Sequence, residues 1–456
     1  MLRSSDSAAQ VRMLVGMARL AVAAFVAVGM AFGADRTTAG EQAGLAASVF
    51  KKVAPAIVTL HTRLKDSPHD HASGSGFLIS RGGRAMTNFH VVADFALEPR
   101  KFTLAYEFSN GRAGTAHIVA IDVLNDLAIV QLDANDPHVF STIRPLSLLP
   151  QTAQINRGDA VFAIGNPRAL GITVSGGTYS GELEGTFGSR IHFTGAINPG
   201  MSGGPAVNAG GQVVGINVAR STGDEALGFL VPSSPAHALV SASQSGDPRL
   251  EANIRDVITE QLEQRQAQLF AIAADSQSEG QPLGPYIAPT PLPRHTECNS
   301  GSNDQQANAP ASRAIALTCR LKTSVEAIPG IRTAHVWFRH VVLSSRSAGT
   351  LNAFQLASMA APAFRQNLSS AISKSMARQQ CADQFTTAGA NAELRIRLVW
   401  CAQAYRDFPG LYDVQIAIAA QDEGDVLFIS RVGLEGVSWT NAVDFTGQFL
   451  KGIRHS

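Results

Sequence analysis

The chain has 456 residues, more than a single hydrophobic core usually organises, so two or three domains are expected. It is 45% hydrophobic and only 16% charged, with 41 glycines and a formal net charge of +1. That balance argues against a polyanion-binding surface and excludes nucleic acid as an expected partner.

Residues 1–34 carry Arg3, Arg12 and Arg19, then an apolar run from Leu20 to Ala34, followed at once by Asp35 and Arg36. Basic residues, a short apolar stretch and an abrupt polar boundary are the pattern of a secretory signal. Ala31 and Gly33 supply small residues where a signal peptidase inspects the chain. The reading is an exported protein, periplasmic or secreted, with retention of this segment as a membrane anchor as the alternative.

From Ala56 to about Val231 short β-rich runs are separated by Gly, Asn, Asp and Pro. Examples are Ile57-Val58-Thr59-Leu60, Phe102-Thr103-Leu104-Ala105-Tyr106, Leu127-Ala128-Ile129-Val130 and Val213-Val214-Gly215-Ile216. Short strands at this spacing predict an all-β barrel or sandwich, and the length suits two small barrels joined by the turn-rich stretch 145–159.

After Pro235 the period changes. Ile254, Val257, Ile258, Leu262 and Leu269 form a helical apolar stripe, which predicts a connecting helix over 250–275. Residues 276–312 are rich in Ser, Gln, Asn, Gly and Pro and read as a linker. Residues 313–456 mix strand runs with helical ones and read as a small α+β domain. The turn Gln421-Asp422-Glu423-Gly424 signals a hairpin within it, and 441–452 is expected to close it as a helix. All four cysteines, Cys298, Cys319, Cys381 and Cys401, lie beyond residue 297, the first of them in the linker stretch. With an export signal an even count suits two disulfides, most simply Cys298–Cys319 and Cys381–Cys401, out of three connectivities. Their spacing disfavours a zinc ribbon or finger.

Three stretches carry chemistry. Ile197-Asn198-Pro199-Gly200-Met201-Ser202-Gly203-Gly204-Pro205 sets a serine in a glycine-flanked turn. Upstream lie Thr87-Asn88-Phe89-His90-Val91-Val92 and Asn125-Asp126-Leu127-Ala128. A serine hydroxyl needs a neutral imidazole to take its proton and a carboxylate to orient that imidazole, and Ser202, His90 and Asp126 supply those groups in this order. Asp122 is a rival carboxylate. His69, Asp70 and His71 tempt a metal assignment, but adjacent residues on a loop rarely close a site, so no metal is expected.

With Val49 to Val58, Gly74-Ser75-Gly76-Phe77, Gly165-Asn166-Pro167 and Gly228-Phe229-Leu230-Val231-Pro232 added, the stretch from about Val49 to Pro232 resembles the HtrA/Do type of trypsin-like serine protease. The resemblance implies a double six-stranded β-barrel over about 45–240, with His90 and Asp126 from the first barrel, Ser202 from the second, and no cofactor. It favours Asp126, next to Leu127 and Ala128, over Asp122. An oxyanion hole would come from the main-chain amides of Gly200 and Ser202, with Met201 between them. The residue six before the nucleophile, Ala196, would floor the specificity pocket and Ile216, Asn217 and Val218 would edge it, favouring a small or medium apolar side chain before the cut. Two departures stand out. Met201 replaces a residue that is commonly small and polar, and the family's usual C-terminal PDZ domain is not recognisable. The expected activity is hydrolysis of protein or peptide substrates, unfolded ones included. The alternatives are a latent enzyme and a catalytically inactive binding module.

Overall fold

A computed structural model describes residues 44–456 except 68, 135, 184–188, 219–227, 248, 276–279, 304–310, 323–324, 329–330, 334, 348–350, 366–374 and 422–425. The signal or anchor expected over 1–34, and the turn of the 421–424 hairpin from Asp422 onward, lie outside the described residues. A helix α1 over 44–53 leads into β1 (Ile57–Leu64), β2 (Asp70–Leu78) and β3 (Arg84–Thr87). After helix α2 (Phe89–Leu97) come β4 (Phe102–Phe108), β5 (Ala113–Asp122) and β6 (Leu127–Leu132). These six strands close as a barrel in the order β1-β2-β3-β6-β5-β4. In β4 every second residue, Phe102, Leu104, Tyr106 and Phe108, is buried, the two-residue period of a strand with one face in a core.

The second barrel follows the connector that begins at Pro145. It is built from β7 (Ala160–Gly165), β8 (Thr173–Glu182), β9 (Ile191–Phe193), β10 (Pro205–Asn208), β11 (Val213–Val218) and β12 (Gly228–Pro232), closed in the order β10-β11-β12-β9-β8-β7. Two closed six-stranded barrels are the double-barrel architecture that the resemblance implies. Closure leaves no open strand edge in either barrel.

Helix α3 (Ser233–Ser245) buries Ala236 and Leu239 in an apolar cluster shared by the two barrels. Helix α4 (Arg249–Asp275) covers the stretch where the apolar stripe predicted a connecting helix. The next segment differs from the expected linker. It contains β13 (Gly280–Leu283), β14 (Tyr286–Pro289) and β15 (Thr296–Ser302). Polar composition misled here because β15 is an edge strand with its side chains mostly exposed, so it carries no apolar alternation.

β15 opens a seven-stranded antiparallel sheet, ordered β15-β16-β19-β23-β22-β21-β20. Its other members are β16 (Ser312–Leu321), β19 (His335–Ser345), β20 (Gln380–Ala388), β21 (Leu394–Ala404), β22 (Leu411–Gln421) and β23 (Val426–Ser438). The hairpin β17 (Val325–Ile328) and β18 (Ile331–Thr333) stands apart, and helix α5 (Ala353–Arg365) precedes β20. Helix α6 (Trp439–Gly452) buries Ala442, Phe445, Thr446 and Phe449 on the sheet, and the short β24 (Arg454–His455) pairs with β14. Two disulfides, Cys298–Cys319 and Cys381–Cys401, join directly paired residues of β15 with β16 and of β20 with β21. Each ties an outermost strand to its neighbour. Among the described residues no helix is long and apolar enough to cross a membrane.

Candidate active site

The candidate base lies at the start of α2, a helix with no side-chain cap of its own. The first N–H groups of a helix need external acceptors. Here they come from the β5–β6 turn: the Asp126 carbonyl accepts from Phe89 N–H at 3.2 Å, and Asp126 Oδ1 accepts from His90 N–H at 3.0 Å. Asn88 Nδ2 donates to the same carbonyl at 2.8 Å. Asp126 thereby caps α2 from another part of the chain, placing a negative charge at the positive end of the helix.

This capping also places the side chains. Asp126 Oδ2 lies 2.8 Å from His90 Nδ1, the bond that selects the imidazole tautomer with Nε2 available as a base. The His90 side chain is 36% exposed and that of Asp126 15%, so the carboxylate is covered while the ring opens to solvent. Burial pushes the Asp126 carboxyl up, but the His90 ring, its hydrogen bonds and the more distant Arg190 outweigh that and hold it below the usual carboxylate value. Asp126 occupies this position with a φ of 61°, in the left-handed region that is uncommon for residues other than glycine but that aspartate tolerates better than most. The rival Asp122 serves the turn instead. Its carboxylate accepts from Asn125 N–H at 3.0 Å and Asn125 Nδ2 at 2.7 Å, bracing the turn from within.

The Ser202 turn packs against the first barrel. Ser75 N–H donates to the Ser202 carbonyl at 2.8 Å. A side chain at Gly203, where φ is 82°, would run into Ser75 O, Thr87 Oγ1 and Asn88 N, so glycine lets the serine turn approach the strand end that leads to His90. Gly203 N–H donates to Asn217 O at 3.0 Å, and Asn217 Nδ2 reaches Ile164 O at 3.0 Å and Met201 O at 3.3 Å.

The peptide before Gly200 is oriented by the turn after β7. Arg168 N–H donates to the Pro199 carbonyl at 3.2 Å. In a trans peptide the following N–H points the opposite way, so the Gly200 amide is turned from the 166–168 turn. A reversed peptide would instead aim its carbonyl where an oxyanion must bind. Met201 departs from the small polar residue common in this place, and the structure accommodates it by burial: it is 1% exposed in a cluster with Val161, Ala163, Phe193 and Val214. Its N–H bonds Asn198 O at 3.0 Å, so that amide is engaged within the turn.

Of the residues expected to shape a specificity pocket, Ala196 is exposed, while Ile216, Asn217 and Val218 are buried, with the Asn217 amide serving the serine turn. Asp70 and His71, expected on a loop, begin strand β2: the Asp70 carboxylate is engaged by His61 Nδ1 and Arg63 Nε, each at 2.6 Å, and His71 lies 3.4 Å from Asp94, so the two side chains make separate contacts. Sequence reasoning missed Ser75 and Asn166. The Ser75 hydroxyl donates to Gly200 O at 2.7 Å and accepts from Asn166 N–H at 2.9 Å, bridging the two loops. Both sit inside motifs that carried the resemblance, Gly74-Ser75-Gly76 and Gly165-Asn166-Pro167, and no spacing rule told that they meet.

Comparison with known proteins finds matches in the same part of the chain. Residues 74–216 match the family model of the trypsin-like peptidase domain. Serine protease HTRA3 of Homo sapiens is 35% identical over 199 residues, 41% of this chain and 42% of that protein. Serine protease HTRA1A of Danio rerio is 34% identical over 209 residues, 43% of this chain and 41% of that protein. The protein of Chlamydia trachomatis serovar D named "Probable periplasmic serine endoprotease DegP-like" is 34% identical over 179 residues, 38% of this chain and 33% of that protein. The chain thus spans about a third to two fifths of the length of these relatives. The double-barrel part of the chain is thus similar to trypsin-like peptidase domains, those of HtrA-type serine proteases among them.

Proposed function

We propose that the protein is an exported serine endopeptidase that hydrolyses protein substrates through an acyl-enzyme. The observation that carries this reading is the His90–Asp126 pair, with Asp126 bonded at once to the ring and to the backbone of the residue it orients. His90 Nε2 takes the proton of the Ser202 hydroxyl as that oxygen attacks the substrate carbonyl, then returns it to the leaving amine. Asp126 holds the tautomer and balances the imidazolium. The amides of Gly200 and Ser202 receive the oxyanion, a role supported by the orientation of the Pro199–Gly200 peptide. A water molecule then repeats the attack and releases the acyl group.

Specificity for a small or medium apolar residue before the scissile bond follows from the residues near the turn. Ala196, Ile216, Asn217 and Val218 offer no carboxylate to pair with a lysine or arginine, and a cation buried without a partner is costly. Export, to the periplasm or beyond, is supported by the basic and apolar pattern of residues 1–34, by the two disulfides and by the periplasmic name of the Chlamydia relative.

The test is labelling of the full chain by a fluorophosphonate probe, alongside hydrolysis of an unfolded protein. Labelling that disappears in Ser202→Ala and in His90→Ala is the expected result. A folded wild-type chain that neither labels nor hydrolyses overturns the reading in favour of a binding module.

A further inference from the structure

Helix α4 touches both parts of the molecule with different parts of its length. Ile254, Val257, Ile258 and Leu262 are buried in the same cluster as Val92, Ala93 and Ala96 of α2 and as Ile121 and Val123 around the end of β5. Leu269 and Ala273, further along, are buried in the cluster of the C-terminal sheet.

Polar contacts on α4 are directed at the elements that carry the candidate base and carboxylate. Gln261 Oε1 accepts from Val123 N–H at 2.8 Å, and Gln261 Nε2 donates to Ile121 O at 2.9 Å. One side-chain amide thus pairs with the backbone on both sides of Asp122, as a neighbouring strand would. From there the turn is braced by Asp122 on Asn125 and ends at Asp126. Arg255, on the same helix, donates to the carbonyl of Leu97, the last residue of α2, where a cation suits the helix dipole. So α4 grips the base of the turn that ends at Asp126 and the far end of the helix that begins beside His90.

Five residues beyond Gln261, the fully buried Gln266 makes the corresponding contacts with the C-terminal domain. Its Nε2 donates to Gly436 O at 2.7 Å, and its Oε1 accepts from Ser438 N–H at 2.8 Å and Asn441 Nδ2 at 3.2 Å. Those residues join β23 to α6. Gly436 N–H is held in turn by Asp413 Oδ1 at 2.8 Å.

We infer that Gln261 is a positioning residue for the Asp126 carboxylate, and that the C-terminal domain, acting through Gln266, holds α4 in the place Gln261 requires. The inference rests on the serine-peptidase reading. Its physical basis is that the position of the Asp126 carboxylate follows from where its turn departs, and Gln261 fixes the two main-chain groups, Ile121 O and Val123 N–H, from which that turn departs. The C-terminal domain is then part of the support of the catalytic pair.

The experiment uses the full chain and measures kcat and KM on a peptide, the rate of fluorophosphonate labelling, and the melting temperature. Gln261→Met keeps length and packing but removes both hydrogen bonds; Gln261→Glu keeps an acceptor for Val123 N–H. Gln266→Met cuts the other end, and Gln264→Ala is an exposed control on the same helix. Gln261→Met is expected to lower kcat by about tenfold to a hundredfold, as misplacement of a catalytic group by a fraction of an ångström does, with KM little changed. Gln261→Glu should recover part of the loss. Gln266→Met should lower kcat in the same sense, and the double variant should be no worse than Gln261→Met, since both act through one element. A folded Gln261→Met chain with wild-type kcat overturns the inference, as does a loss matched by Gln264→Ala. If Gln261→Met does not fold, unchanged kcat in a folded Gln266→Met chain overturns it. A wild-type chain that the probe does not label overturns the peptidase reading itself, and this inference with it, whereas labelling with unaffected variants overturns this inference alone.

Discussion

The Ser75 hydroxyl of the first barrel donates to the Gly200 carbonyl of the second at 2.7 Å. The same oxygen accepts the Asn166 N–H, so one side chain fastens the loop before Ser202 to the turn after β7. Ser75→Ala leaves a partly buried carbonyl and an amide without this partner, which costs about 1–3 kcal/mol of stability. Because the turn that carries the Gly200 amide loses one of its anchors, kcat/KM should also fall about tenfold, more than the melting shift explains. Peptide hydrolysis and thermal melting measured together check this.

Gly200 has a φ of 94°, and a Cβ there would lie 2.6 Å from Asn166 O and 2.7 Å from Arg168 N. Gly200→Ala therefore pushes apart the contact between Arg168 N–H and Pro199 O that orients the peptide. Loss of one oxyanion donor costs about a hundredfold to a thousandfold in kcat, and that is the expected size of the effect. Steady-state kinetics on a chain shown to be folded by circular dichroism provides the measurement.

Asp126→Asn keeps the shape of the cap on α2 but can present an N–H to His90 Nδ1, which favours the wrong tautomer. In trypsin-like enzymes this costs about four orders of magnitude in kcat, and a loss of that order is expected here. Asp122→Asn leaves the His90 contact intact and should be far milder. A pair of equal losses would assign the carboxylate role wrongly.

His340 is fully buried in the C-terminal domain, stacked near Phe428 and Phe449, with Nε2 at 2.9 Å from Pro289 O. Burial pushes its pKa down to about 4, only partly offset by that carbonyl. An unfolded histidine titrates near 6.5. As pH falls below about 6.5 the unfolded chain takes up a proton that the folded chain refuses, so stability declines until about pH 4, by up to roughly 3 kcal/mol. Melting temperature against pH should show this slope, and His340→Phe should flatten it.

The disulfides fasten the two outermost strands of the seven-stranded sheet, across sequence separations of 21 and 20 residues. Loops of this size correspond to about 3 kcal/mol each by chain-entropy arguments. Reduction should lower the melting temperature of the C-terminal domain. It should also speed amide exchange in β15 and β20 before the barrels are affected. Hydrogen exchange with and without reductant distinguishes this from a uniform loss.

Much of the barrel region was legible in the sequence because its signals are local. Alternation in β4, the glycines around Ser202 and the motifs around His90 and Asp126 each act within a few residues. The likeness to known peptidases then supplied the double barrel. The C-terminal sheet was read less well. Its inner strands announced themselves through runs such as Val336 to Leu343, but β15 and β20 did not, because an edge strand needs no apolar face. The role of Ser75, and the inward turn of Asn217, depend on partners about 90 to 125 residues away for Ser75 and 53 for the Asn217 contact with Ile164.

By itself the sequence determined which groups are available: a serine in a glycine turn, a histidine and an aspartate in matching order, and four cysteines beyond residue 297. Only the tertiary structure decided how they are held. It made Asp126 the cap of the His90 helix and gave Asp122 to the turn. It also set α4 between the C-terminal sheet and the turn that ends at Asp126. Local sequence fixes turn chemistry and strand period, whereas capping from a distant segment and docking of a helix depend on which surfaces meet when the barrels close.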